Sequence, residues 1–180
     1  MPLIRLPSSH DTSYTPARGP VLLLSCIDLR LMDETIQFMD HDGLTNRYDH
    51  LTLAGASLGA LGACKEQYAH WKQTFFDHLA VAHHLHHIKD VYIVEHRDCG
   101  AYRELLGEAG EFDDDEDLAD ETECHRKYAE LLRGEIETWA KARTIKLHVK
   151  SFLMDLRGRV DMLGKSATKS RRKKAADGGA

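Results

Sequence analysis

Val21-Leu22-Leu23-Leu24-Ser25-Cys26-Ile27-Asp28-Leu29-Arg30, read together with Val91-Tyr92-Ile93-Val94-Glu95-His96-Arg97-Asp98-Cys99-Gly100, decides the reading of this chain. Each stretch opens on an apolar run of strand length, leucine-rich or β-branched. Each run ends on metal-ligand residue types: Cys26 in the first, His96 and Cys99 in the second. In open α/β sheets, ligands bind at the carboxyl ends of the strands. Two thiolates and one imidazole make a three-ligand zinc site, with a fourth position free for water or a carboxylate. Sulfur ligands favour zinc over magnesium or calcium.

Working outward, the chain alternates strand and helix patterns. The first strand is expected over Val21 to Ser25. Asp33 is a candidate cap for a helix from Glu34 to about Asp40, with Ile36 and Met39 facing inward. A short strand is expected over His50 to Ala54, followed by a tight loop through the glycine-rich stretch 55–62. That loop lacks the lysine–serine pair and the spacing of phosphate-binding loops. Residues 65 to 87 read as one long helix, with Tyr68, Trp71, Phe75, Leu79, Ala82 and Leu85 on an apolar face. His83, His84, His86 and His87 crowd its C-terminal end, where a solvated cluster suits the helix dipole. A strand over Val91 to Glu95 and a short helix over residues 101 to 107 follow.

Ten acids between Glu108 and Glu123 read as a solvated loop, without the glycine and ligand alternation of a calcium loop. A helix is expected from about Thr122 to Ala142, then a strand over Ile145 to Leu156, a turn, and Val160 to Leu163. The alternation predicts an α/β fold: a mainly parallel central sheet with helices on both faces. Crossovers between parallel strands are right-handed, which brings the ends of the first and third strands together.

The 180 residues, 42% hydrophobic and 29% charged, suit one globular domain. The expected division is an N-terminal arm over residues 1–20, a zinc-binding domain over 21–164 and a basic disordered tail over 165–180. The arm is polar and bears prolines, with no apolar signal-peptide core, and no run reaches the length of a membrane span. Net charge is −5, but the tail holds six basic residues and one acid, which leaves the body near −10. So acidic a body argues against nucleic acid as the main partner. Of the four cysteines, Cys26 and Cys99 sit in metal-binding context. Cys64 and Cys124 read as free thiols of a cytoplasmic protein.

At Cys26-x-Asp28-x-Arg30 and His96-x-x-Cys99-Gly100 the chain resembles the β-class carbonic anhydrases, which carry both motifs in this order. The resemblance covers roughly residues 20–164. It implies Zn2+ on Cys26, His96 and Cys99. It implies that Asp28 either accepts a hydrogen bond from the zinc-bound water or ligates zinc itself, held by Arg30 through a two-pronged pair. It implies a homodimer or higher homo-oligomer that covers the apolar Leu53 to Leu61 segment. Zinc acidifies its bound water from ~15.7 to about 7 in the best case, giving hydroxide that attacks CO2.

The chain also departs from that pattern. The family's Arg-Asn-Ala-Gly aligns with Thr52-Leu53-Ala54-Gly55, so Gly55 is carried over as the substrate-binding position while the polar pair before it is replaced. Glu95 stands where a glycine is expected and is read as adding negative charge beside the site. The expectation is a zinc lyase hydrating CO2. Relatives hydrolyse carbonyl sulfide or carbon disulfide, so a hydrolase of those sulfur analogues, or a zinc-binding module without turnover, is the alternative.

Overall fold

The computed structural model describes residues 14–17, 19–112 and 118–164. Five strands, β1 (Val21–Ser25), β2 (Tyr48–Thr52), β3 (Asp90–His96), β4 (His148–Met154) and β5 (Val160–Met162), form one sheet in the order β2-β1-β3-β4-β5. The first four are parallel and only β5 runs antiparallel. Central β3 is buried throughout, as its continuous apolar run requires in a sheet covered on both sides.

Alternation along the strands builds two cores. Val21 and Leu23 of β1, with Tyr92 and Val94 of β3, face α1 (Met32–His41) and its Phe38 and Met39. Leu22, Leu24, Val91 and Ile93 face α3 (His70–His86) and α5 (Leu118–Ala142). A short α2 (Ser57–Leu61) and α4 (Gly100–Leu106) complete the chain. The expected mainly parallel sheet with helices on both faces is the fold observed. The described part of the arm lies on its own subunit: the Ala17 N–H donates to Tyr92 Oη, and Tyr14 donates to Asp42. Most of the arm, Asp113–Asp117 of the acidic run and the basic tail lie outside the described residues.

Several boundaries move. The glycine-rich stretch is not only a loop, because Ser57–Leu61 turns as helix. Gly59 permits this: a Cβ there would stand 2.3 Å from the Ala54 carbonyl oxygen. Consequently Ala56, Leu58 and Ala60 are buried within the subunit. Of the apolar residues expected to meet a partner there, only Leu53, Ala54 and Leu61 keep partial exposure. Met39 faces inward as expected but Ile36 is exposed, and the inner face of α1 is made by Thr35, Phe38 and Met39. Leu85, expected on the apolar face, is exposed near the end of α3. The last acids of the expected solvated loop, Asp120, Glu121 and Glu123, belong to α5, and Glu121 is buried.

Candidate metal centre

Ser25 of β1 pairs with Val94 of β3 in parallel register, so the two strands end side by side. Cys26 follows β1, His96 ends β3, and Cys99 precedes the first residue of α4. All three are buried, and their ligand atoms lie within 4.8 Å of one another. Among the described residues this is the one cluster of three or more such groups able to hold a metal; His83 and His87 are not part of one.

The donors suit zinc in detail. Two sulfurs bound to one ion at about 2.3 Å and a tetrahedral angle stand ~3.8 Å apart. The Cys26 and Cys99 Sγ atoms are 3.8 Å apart. His96 directs Nδ1 at the Arg97 carbonyl oxygen, 2.8 Å away. A carbonyl only accepts, so Nδ1 carries the proton and Nε2 keeps a lone pair for a metal. That Nε2 is buried and without a hydrogen-bond partner. The hydrogen bond with Cys99 outweighs burial, and with help from His96 and the Gly55 N–H it pulls the Cys26 thiol well below the usual thiol range. Cys99 is pushed up, because it donates that shared bond to Cys26 and is itself buried. Burial opposes charging of His96, but the adjacent Cys26 thiolate reverses the balance and raises its pKa.

On the open side lies Asp28, its Oδ2 3.7 Å from His96 Nε2. Arg30 donates to it three times: backbone N–H to Oδ1 at 2.9 Å, Nε to Oδ1 at 2.9 Å, and Nη2 to Oδ2 at 2.7 Å. Those bonds hold the Asp28 carboxyl down at about 2. Arg30 also donates from Nη1 to Asp98 Oδ2 at 2.7 Å and from Nη2 to the Asp98 carbonyl at 2.9 Å. The two-pronged pair read from the sequence is therefore a bridge between the loop that follows Cys26 and the loop from His96 to Cys99. Asp98 sits at φ +52, a left-handed conformation that aspartate tolerates.

The closed side is built differently. Glu95 is not aimed at the open position, because strand alternation turns it to the face opposite His96. It is 1% exposed. The Ser57 N–H donates to its Oε1 at 2.9 Å and the Ser57 hydroxyl to the same atom. Tyr102 Oη donates to Oε2 at 3.1 Å, and His125 Nδ1 lies 3.0 Å from it. A buried carboxylate needs such partners. Glu121 of α5 receives the Asp98 N–H at 2.7 Å and Arg97 Nη1 at 2.7 Å, which pins the loop between His96 and Cys99. None of Asp98, Glu121 or His125 was picked out by motif. The Glu121/His125 spacing of four residues on one helix face was the available signal.

Gly55, expected at the substrate, sits at φ +75 and directs its N–H to Cys26 Sγ at 3.3 Å. Outside the cluster opens a cleft of about 310 Å³, lined by Ile27, Asp28, Ala54, Tyr68, Trp71 and Leu105 among others. Tyr68 and Trp71 stack at 4.3 Å beside it. Thr52 is exposed, and Leu53 packs into the core beneath α2 and α3.

Fold and cluster define a class: mainly parallel α/β proteins with a buried cysteine–histidine–cysteine group at the strand ends that can hold a metal ion. The chain belongs to the putative carbonic anhydrase family, whose model matches residues 18–151. It is 33% identical to an uncharacterized protein of Rickettsia bellii (strain RML369-C), over 89% of this chain and 92% of that one. It is 32% identical to an uncharacterized protein of Rickettsia conorii (strain ATCC VR-613 / Malish 7), over 89% and 81%. Among solved structures it is similar to β-carbonic anhydrase isoform I of Trichomonas vaginalis, with 14% identity, 83% and 86% coverage and a TM-score of 0.47. It is also similar to the apo form of a carbon disulfide hydrolase, with 14% identity, 83% and 81% coverage and a TM-score of 0.40. No helix among the described residues is long and apolar enough to cross a membrane.

Proposed function

We propose that this protein is a zinc-dependent carbonic anhydrase that hydrates CO2 reversibly to bicarbonate, with Cys26, His96 and Cys99 as the protein ligands. The observation that carries the reading is the ligand geometry: sulfurs 3.8 Å apart and a buried, unpartnered His96 Nε2, open on one side toward Asp28. Zinc held there would supply an acidified water and positive charge beside the developing bicarbonate.

The chain's own residues do the rest. Asp28 accepts a hydrogen bond from the attacking water and so aims a lone pair at the carbon of CO2. Arg30 fixes that carboxylate through a bidentate grip, and its second hold on Asp98 keeps the grip centred between the two loops. Ile27, Ala54 and Leu105 give the cleft an apolar wall, which suits an uncharged, linear substrate and lets bicarbonate leave for water. Gly55 acts at the edge of this substrate site by steadying the Cys26 thiolate. If Asp28 instead turned onto the metal, it would fill the fourth position and close the site.

Hydrolysis of carbonyl sulfide or carbon disulfide is the second reading. The same donors would serve it, and a cleft of about 310 Å³ has room for larger, more apolar molecules than CO2. We also place a second copy of the chain over the rim of the site, where Ile27, Leu29, Met32 and Ile36 are all exposed. Four free cysteines suit a reducing cytoplasm. The test is stopped-flow CO2 hydration by the pure protein with its zinc content measured alongside, and hydrolysis of the two sulfur compounds in parallel. Full zinc without CO2 turnover would overturn the assignment; turnover of a sulfur compound alone would replace it with the second reading.

A further inference from the structure

Hydration of CO2 releases one proton per turnover, and that proton must reach solvent before the next cycle. The cleft described above offers it two carboxylates, Asp28 and Glu104, and both are already paired, with Arg30 and with Lys65. Behind the cluster, on the α1 face of the sheet, lies a second cavity of about 10 Å³, the room of a single water molecule. Ser25, Asp28, Thr35 and His96 line it. A water there has enough polar neighbours to be held, which an apolar void would lack.

Ser25 is 5% exposed, yet it leads outward. Its Oγ stands 2.7 Å from Nε2 of His50. The register of β1 with β2 explains the contact: Leu23 pairs with His50 and Ser25 with Thr52, so serine and histidine lie on the same face, one position apart. His50 is exposed, with Tyr48 of its own strand edge-on to its ring at 6.1 Å between centroids. The neighbouring hydrogen-bonded pair, Asp49 with His86, lies on the opposite face of the strand.

We propose that Ser25 and His50 form the exit path for the proton released at the metal centre. The proposal rests on the CO2-hydrating reading given above. A water in the small cavity takes up the proton and passes one of its own to Ser25 Oγ. Ser25 gives its original hydroxyl proton to His50 Nε2. The exposed imidazolium ring turns outward and releases its Nε2 proton to buffer at the surface, which leaves the starting Nδ1–H tautomer, and the ring turns back to Ser25. One proton enters and one leaves, and the serine is unchanged. CO2 thus arrives through the apolar cleft while protons leave by a polar back door.

The experiment compares zinc-loaded parent, His50→Ala, Ser25→Ala and, as a control on an exposed histidine outside the path, His86→Ala. In dilute buffer His50→Ala and Ser25→Ala should each lower kcat about tenfold or more while kcat/KM stays within about twofold, because proton export follows bicarbonate formation. Added imidazole should restore His50→Ala but not Ser25→Ala, and His86→Ala should match the parent. Independently of activity, nitrogen NMR of the parent should show neutral His50 protonated on Nδ1, and Ser25→Ala should abolish that preference. A parent that turns over while His50→Ala keeps its full kcat in dilute buffer overturns the relay alone. So does a His50 protonated on Nε2 in the parent. A zinc-loaded parent that hydrates no CO2 overturns the function and the relay together.

Discussion

Two carboxylate clusters flank the same pair of cysteines, and they are built on opposite principles. On the open side Asp28 and Asp98 share Arg30, whose side chain is 41% exposed. On the closed side Glu95 and Glu121 bracket His125, which is not exposed at all. Exposed ion pairs are worth little, because water screens them and their side chains lose entropy in pairing. Buried ones are costly to break, since removing one partner strands the other without solvent. The open cluster can therefore move and exchange partners at low cost, as a site for chemistry must. The closed cluster ties β3, α2, α4 and α5 together and holds the loop from His96 to Cys99 in shape.

Substitutions can break or sharpen this contrast. The largest effect should come from the ligands between the two clusters. Cys26→Ala or Cys99→Ala should abolish zinc binding, since two remaining protein ligands rarely hold zinc tightly. Metal analysis at full occupancy in either variant would refute the ligand set.

Next comes the closed side. Glu95→Ala or His125→Ala should destabilise the fold by about 3–5 kcal/mol, the usual loss when a buried pair is broken. Urea unfolding measures it, and a loss below about 1 kcal/mol, the range of exposed pairs, would erase the distinction between the clusters.

Arg30→Ala should behave oppositely. Zinc content and unfolding midpoint should stay close to the parent, while CO2 hydration falls about a hundredfold from misplacement of Asp28. Parent-like turnover across pH 6 to 9 would show that the guanidinium bridge is only structural.

The apolar rim gives a further contrast with the buried side. Leu29→Glu should shift the protein from dimer to monomer in light scattering at micromolar concentration, with little change in subunit stability. A parent that is already monomeric would remove the second copy from the site.

The smallest effect belongs to Asp28 itself. Its carboxyl is held at about 2, below its ordinary value, so its contribution is present above the unfolded value near 4. The stability gap between parent and Asp28→Asn should be flat from pH 8 to 5. It should shrink as pH falls from about 4 toward about 2, and it should stay under about 1 kcal/mol throughout because the pair is screened. A gap that widens on acidification would reverse the sign of the argument.

How much of this was legible beforehand depends on distance along the chain. Cys26, Asp28 and Arg30 lie within five residues of one another, and His96 and Cys99 within four. Short spacing at a strand end leaves side chains few places to go, so the donor set could be read directly. Strand alternation was also legible. Applied to Glu95 it places that carboxylate on the face away from His96, from where its charge still reaches the cluster and helps to push the Cys99 thiol up. Glu121 was hidden for another reason: it is one of ten acids in a single run, and composition carries no sign that one of them is buried.

What the sequence alone determined was the alternating fold, the cysteine–histidine–cysteine group able to hold a metal and the Asp28–Arg30 pair, because each follows from local periodicity or close covalent spacing. What only the tertiary structure decided was every contact set by register and docking. The pairing of Leu23 with His50 chose one histidine of twelve for Ser25. The seating of α5 brought Glu121 to the Asp98 N–H and His125 to Glu95. The turn of 57–61 into helix buried an apolar segment that looked exposed. These partners lie 23 to 38 residues apart in the chain. At that separation no local rule links them, and packing of the whole core settles which ones meet.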